Sequence, residues 1–299
     1  MRFLIRWPYA GWHLRPGKGT IAEFVRLSAT QVNYIMEQIL LLLVIGFIAG
    51  ILSGMFGIGG GAIIVPALML FMGFSQVAAN ATSLAALLLP VGIFACLEYY
   101  RKGKLKLKIA LLVAAGVAAV AWFGANIALD LPAQTLRQLY GALLLYMAWR
   151  YISPILWYRE YRGGAAVVVA EETTLRNGNW KIYVGLLGIG FGAGILSGMF
   201  GIGGGVVIVP ALMAFLNFDQ KLATGTSLGA LLLPTGLPAI LAYWQRGELD
   251  LNPAIPLAVM LVVGSLLGAR TALGMPAKTV RRLYGFFLLF VGMRFLFNL

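Results

Sequence analysis

Ile51-Leu-Ser-Gly-Met-Phe-Gly-Ile-Gly-Gly-Gly61 occurs a second time, letter for letter, as Ile195 to Gly205, 144 residues further on. The same offset aligns Val65-Pro66-Ala-Leu-Met69 with Val209 to Met213, Thr82-Ser83-Leu84 with Thr226-Ser227-Leu228, and Leu87-Leu-Leu-Pro90 with Leu231 to Pro234. It runs on through Tyr99/Tyr243, Gly124/Gly268, Pro132/Pro276, Arg137/Arg281 and Arg150/Arg294. An ungapped match of this length is a duplication, and it organises the chain into two copies of one unit.

Each copy reads as one run of apolar helices interrupted at the glycines. In the first copy the expected elements are a helix at about 39–56, a Gly-rich break at 57–61, a short helix at 62–72, and longer helices at about 76–98, 106–129 and 135–152. The second repeats them near 183–200, 206–216, 220–244, 252–273 and 279–297. Residues 153–181, with Pro154, Gly163-Gly164, Glu171-Glu172 and Asn177-Gly-Asn179, read as a polar linker. The expected organisation is therefore an N-terminal interfacial segment at 1–38, a membrane repeat at 39–152, the linker at 153–181 and a second membrane repeat at 182–299.

Composition places these helices in lipid. Of 299 residues, 61% are hydrophobic and 11% charged, against about 45–50% and about 25% in soluble domains. Stretches such as Ile39–Phe56, Leu84–Leu97, Ile109–Leu129 and Leu257–Ala269 carry no charge. A hydrocarbon core about 30 Å thick needs roughly 20 apolar residues per helix, while a transmembrane barrel would alternate polar and apolar residues. The fold class expected is an all-α polytopic membrane protein, with about eight full spans plus two short Gly-broken helices. At 1.5 Å per residue the 62–72 piece covers only about 16 Å, so it crosses by borrowing the Gly segment or re-enters.

The net charge of +13 does not make a nucleic-acid reader, because the basic residues lie between apolar runs and not on one soluble module. They suit loops held on the cytoplasmic side and contact with the lipid bilayer. The loop 101–108 holds Arg101, Lys102, Lys104, Lys106 and Lys108, while its partner 245–250 has Arg246 against Glu248 and Asp250. Between the last two helices the excess is reversed: Asp130 and Arg137 stand against Lys278, Arg281 and Arg282. Lys/Arg excess that changes sides between copies is what inverted repeats require; the basic N-terminal segment, which inversion would place outside, counts against it. That segment is interrupted by charged and polar residues throughout, unlike a cleavable signal, and Trp7, Tyr9, Trp12 and Tyr34 suit the headgroup region. With one cysteine, Cys96, and one histidine, His13, neither an intrachain disulfide nor a Cys/His metal site can be built, and no cofactor or metal is expected.

The glycines have two readings. Gly46/Gly50/Gly54 and Gly190/Gly194/Gly198, at four-residue spacing, allow close helix crossing. Gly57, Gly59, Gly60 and Gly61, with Gly201, Gly203, Gly204 and Gly205, instead break the helix. A nucleotide loop would need a preceding strand or a Gly-Lys-Ser/Thr sequence, and neither is present. A broken helix at membrane depth persists where protein or a wet cavity satisfies its backbone. The helices resuming after the glycines present free N–H groups and positive dipole ends, which favour an anion, and paired breaks in two halves point to a transporter's substrate site. Ser53 and Ser197 precede the breaks; Asn80, Thr82 and Ser83, with Thr224, Thr226 and Ser227, supply hydroxyls and amides for an oxyanion or, equally, for capping and helix packing.

Arg270 follows a charge-free run and matches Asn126 in the other copy. An arginine there is either a substrate or gating group or one that snorkels to the interface. Glu98, Asp130, Asp219, Glu248 and Asp250 all fall near helix ends, which speaks against a buried acidic relay and against a membrane enzyme or assembly subunit.

The duplicated Gly-x-x-Ser-Gly-x-x-Gly-Ile-Gly-Gly-Gly, each copy followed by Val-Pro and then Thr-Ser-Leu, resembles the TauE/SafE permeases, also called the sulfite-exporter or toluene-sulfonate-uptake permease family. The resemblance covers about residues 40–152 and 183–298. It implies a multi-pass carrier of the bacterial inner membrane, not an enzyme, moving sulfite, sulfoacetate or other organosulfonates, with members that export and members that take up. The small anionic substrate would contact the motif positions Ser53, Gly57, Gly59–Gly61, Ser197, Gly201 and Gly203–Gly205. Another small anion and uptake instead of export stay open, as does the oligomeric state, a homodimer included.

Overall fold

In a computed structural model the described residues are 21–152 and 180–296, and they form helices without strands. The first half contains α1 (Ile21–Phe56), α2 (Gly61–Phe71), α3 (Gln76–Leu88), α4 (Ile93–Arg101), α5 (Leu107–Asp130) and α6 (Ala133–Ile152). The second contains α7 (Trp180–Phe200), α8 (Gly205–Phe215), α9 (Gln220–Leu231), α10 (Leu237–Gln245), α11 (Ala254–Gly274) and α12 (Ala277–Leu296). Four segments are long and apolar enough to cross a membrane: Ile35–Phe56, Leu107–Asp130, Trp180–Phe200 and Ala254–Gly274. The pair α3–α4, bent by 54°, adds a fifth if taken as one span. The chain is thus a multi-pass helical membrane protein, with fewer spans by this criterion than the about eight read from the sequence.

Two expectations about element boundaries are corrected. The single helices expected at 76–98 and 220–244 are each two, because Pro90 and Pro234 lack the N–H a continuous helix needs and disfavour helical geometry in the preceding residue. The helix expected to begin near residue 39 begins at Ile21, the sequence from Ile21 to Gln38 containing neither Gly nor Pro. Trp7, Tyr9, Trp12, His13 and the linker up to residue 179 lie outside the described residues.

Packing joins the halves through backbone contact. In α1 a Cβ added at Gly46 would lie 2.5 Å from Leu257 O, at Gly50 2.7 Å from Leu261 O, and at Gly54 would overlap Ser265 O. Contacts advance along α1 and α11 together, so the two helices run parallel. α5 and α7 do the same, through Gly116 against Leu187 O and Gly190, and Gly194 against Val117. Only glycine allows such approach, which supplies the dispersion contact that holds helices together in lipid. α6 and α12 pack in opposite directions, with Gly141 against Leu296 and Gly292 against Leu145. Tyr140 closes this seam, set edge-on to Phe295 at 5.3 Å between ring centres.

Candidate functional site

The two Gly breaks meet each other. Gly57, Gly59 and Gly60 have φ of 75°, 78° and 87°, and Gly201, Gly203 and Gly204 have 68°, 73° and 83°. Gly60 and Gly204 are the residues immediately before α2 and α8, held in a left-handed conformation that a side chain makes costly. A Cβ on Gly61 would overlap Gly201 O, and one on Gly205 would overlap Gly57 O. Each helix start therefore rests on the opposite break. Among the described residues the N–H groups of 58–62 and 202–206 have no backbone acceptor, leaving a run of donors at each break.

Most of the hydroxyls and amides expected at the site serve the ends of the helices that stop there. Asn80 Nδ2 donates to Met199 O at 2.9 Å and Ser83 Oγ to Gly201 O at 2.8 Å. In the other half Thr224 Oγ1 donates to Phe56 O at 3.3 Å and Ser227 Oγ to Gly57 O at 2.8 Å. Tyr99 Oη donates to Gly54 O at 3.1 Å and Tyr243 Oη to Gly198 O at 2.8 Å. These bonds satisfy carbonyls that a terminating helix leaves open, so each break is braced by two side chains from the other half and by a tyrosine of its own. Thr226 Oγ1 accepts from Lys106 N–H at 3.2 Å, whereas buried Thr82 Oγ1 has no hydrogen-bond partner among the described residues.

Between the breaks lies a cavity of about 30 Å³, by a measure in which one water needs some 10–15 Å³. It is lined by Ser53, Ser197, Gly59, Gly203 and Thr235, with Leu84, Leu87, Leu228 and Leu231–Leu233 around them. Ser53, Ser197 and Thr235 are buried, and neither serine hydroxyl is engaged by another described residue. No carboxylate or histidine is among the lining residues. Hydroxyls, the backbone of Gly59 and Gly203 and an apolar wall make a pocket suited to a compact group bearing acceptor oxygens.

Of the residues singled out in the sequence, Ser53, Ser197, Gly59 and Gly203 line this cavity; Gly57, Gly60, Gly61, Gly201, Gly204 and Gly205 shape the breaks beside it. Arg270 is elsewhere. Its side chain is 60% exposed and pairs with Glu98 on α4 at 2.9 Å, over a second cavity lined also by Lys102, Lys104 and Lys221. Two positions escaped the sequence reading. Thr235 sits in the turn Pro234-Thr-Gly236, whose Pro-Gly punctuation marks a loop. Ser265 Oγ lies 2.9 Å from both Val91 O and Val262 O, tying the α3–α4 bend to α11; nothing in the sequence distinguishes it from other small residues of that helix.

These elements define the class: a multi-pass α-helical membrane protein with paired, glycine-broken helices around a small buried cavity. Residues 42–295 match the family described as Sulfite exporter TauE/SafE, and the chain belongs to it. It is 26% identical over 242 residues to the "Probable membrane transporter protein YdhB" of Bacillus subtilis, covering 81% of this chain and 94% of that one. The "Probable membrane transporter protein YunE" of the same organism is 25% identical, covering 86% and 97%. A "Probable membrane transporter protein" of Haemophilus influenzae is 27% identical, covering 85% and 96%. No solved structure is a significant match. The protein is a membrane transporter of this family.

Proposed function

We propose that the protein is a secondary transporter that exports a small sulfur-containing anion, such as sulfite, sulfoacetate or another organosulfonate, across the bacterial inner membrane. The reading rests above all on the cavity between the breaks, lined by Ser53, Ser197 and Thr235 together with Gly59 and Gly203 of the two breaks and by no carboxylate. Sulfonate and sulfite oxygens accept hydrogen bonds from hydroxyls, and the dipoles of α2 and α8 favour the charge. As an alternating-access site it needs to open, since a cavity of about 30 Å³ holds little more than two waters. Two parallel seams of backbone contact, α1 with α11 and α5 with α7, are units that can rock against each other around the breaks.

Helix directions support inverted repeats. Tyr99 and Glu98, at the end of α4, reach Gly54 and Arg270, toward the ends of α1 and α11. α5 starts at that same end and runs away from it, so it opposes α1; α7, parallel to α5, opposes α1 as well. In this arrangement α1, the bent α3–α4, α5, α6 and their counterparts are eight long elements, α2 and α8 are the short ones, and α2 returns the chain toward the side α1 came from. α6 and α12, 20 residues each, reach about 30 Å.

An inside-negative potential drives each negative charge outward by about 2.3 kcal/mol per 100 mV, so export runs downhill without a coupled proton. The test is purified protein in liposomes, a potential imposed with potassium and valinomycin, and labelled sulfite, sulfoacetate and taurine. Potential-dependent flux of the first two is expected. Flux that ignores the potential, or transport of zwitterionic taurine alone, overturns the reading.

A further inference from the structure

The cavity beneath Arg270 is separate from the one between the breaks. It has a volume of about 460 Å³ and is lined by Lys102, Lys104, Lys221 and Arg270, with Glu98 as its lining carboxylate. Three cations are partly engaged: Arg270 with Glu98, Lys104 with Asp219 at 2.8 Å, and Lys221 with Leu273 O at 2.8 Å. Lys102 is exposed and makes no ion pair with a described residue. Positive charge therefore remains in excess around a concave space large enough for a small anion and its water, a shape that concentrates the local field.

This cluster exists on one side of the molecule. At the 144-residue offset Lys102 matches Arg246, but Lys104 matches Glu248, Lys221 matches Val77, and Arg270 matches Asn126. Arg246 is taken up by Asp130 at 3.1 Å. The cationic side is also that of loop 101–108, whose five basic residues suit the cytoplasmic side under the positive-inside bias. The loop is docked next to the break-bracing residues: a Cβ on Gly225 would overlap Lys104 O, and Lys106 N–H reaches Thr226, while neighbouring Thr224 bonds the end of α1.

We propose that this cavity is a second, outer anion-binding site, which captures a compact sulfonate or phosphate oxyanion from the cytoplasmic side before it reaches the breaks. An arriving anion competes with Glu98 for the Arg270 guanidinium and is met by Lys102 and Lys221. The proposal rests on the anion reading above and adds to it a place of entry and a reason for direction, since the opposite side lacks the matching cations.

Equilibrium binding of labelled sulfoacetate to the full-length protein in phosphatidylcholine nanodiscs tests it. Wild type is expected to bind at two sites. Lys102→Gln with Lys221→Gln removes one, or weakens it at least tenfold, and that site is the one lost as salt is raised. Ser53→Ala with Ser197→Ala removes the other, and Arg246→Gln leaves both. Unchanged number and affinity of sites in the double-lysine variant overturns the proposal, as does absence of sulfoacetate binding altogether. Loss of a site in the lysine variant with none lost in the serine variant upholds the outer site and overturns the central one. In nanodiscs containing phosphatidylglycerol, weakened outer binding identifies lipid phosphate as an occupant, and unchanged binding identifies the free anion; both support an oxyanion site.

Discussion

Replacing Gly194 by alanine tests the close crossing of α5 and α7 against a control two residues away. A Cβ at Gly194 would stand 2.5 Å from Val117 O, 2.8 Å from Val120 Cγ2 and 2.9 Å from Val117 Cα. The valine side chain can rotate, but the carbonyl and Cα belong to the α5 backbone. Ordinary contact begins at 3.4 Å, so the helices must part locally by about 1 Å, loosening the other backbone contacts of the seam. Overpacking of this kind costs about 1–3 kcal/mol, roughly a 5- to 150-fold change in the folding equilibrium. At Gly192, on the same helix, an added Cβ meets nothing within 4 Å. There alanine is expected to be neutral or to stabilise by up to about 1 kcal/mol. Reversible unfolding in mixed dodecyl sulfate micelles, followed by circular dichroism, measures both variants. Equal stability of Gly194→Ala and Gly192→Ala would refute the reasoning, because helix propensity would then explain both and the crossing would contribute nothing.

Tyr243→Phe removes a buried 2.8 Å bond to Gly198 O and is expected to lower stability by about 1–3 kcal/mol in the same assay, because the carbonyl is left without its donor. Gly60→Ala and Gly204→Ala force a side chain into φ of 87° and 83°, at about 1–2 kcal/mol each; Gly60→Ala is expected to be the worse, its Cβ lying 2.9 Å from Leu261 Cδ2, which has to move aside, where the nearest atom at Gly204 is 3.4 Å away. Arg270→Gln is expected to leave the midpoint of unfolding nearly unchanged, since an ion pair whose arginine is 60% exposed contributes less than about 1 kcal/mol; a large loss would mean that the pair is structural.

Much of the architecture was legible in order along the chain. The glycine clusters mark the breaks because no helix tolerates so many together, and α2 and α8 begin within a residue of the expected positions. The division of α3 from α4 was written in Pro90, yet a proline within an apolar run can either bend a helix or end it, and neighbouring packing decides. α1 begins before the expected residue 39 because the polar residues there end the apolar run without breaking a helix. At the site, Ser53 and Ser197 were legible through their place beside the breaks. Asn80, Ser83, Thr224 and Ser227 were visible as polar residues, but not their use, since the carbonyls they bond lie 118–170 residues away.

By itself the sequence determined the membrane class, the duplication, the glycine breaks and the scarcity of acids, because these depend on composition and spacing, which are properties of the linear chain. Only the tertiary structure decided which half braces which break, that Arg270 faces Glu98 and a cationic cavity and not the glycines, and that Thr235 reaches the central pocket. Hydrogen bonds and van der Waals contacts fall away within a few ångströms, so their partners are chosen by the folded path of the backbone and not by distance along it.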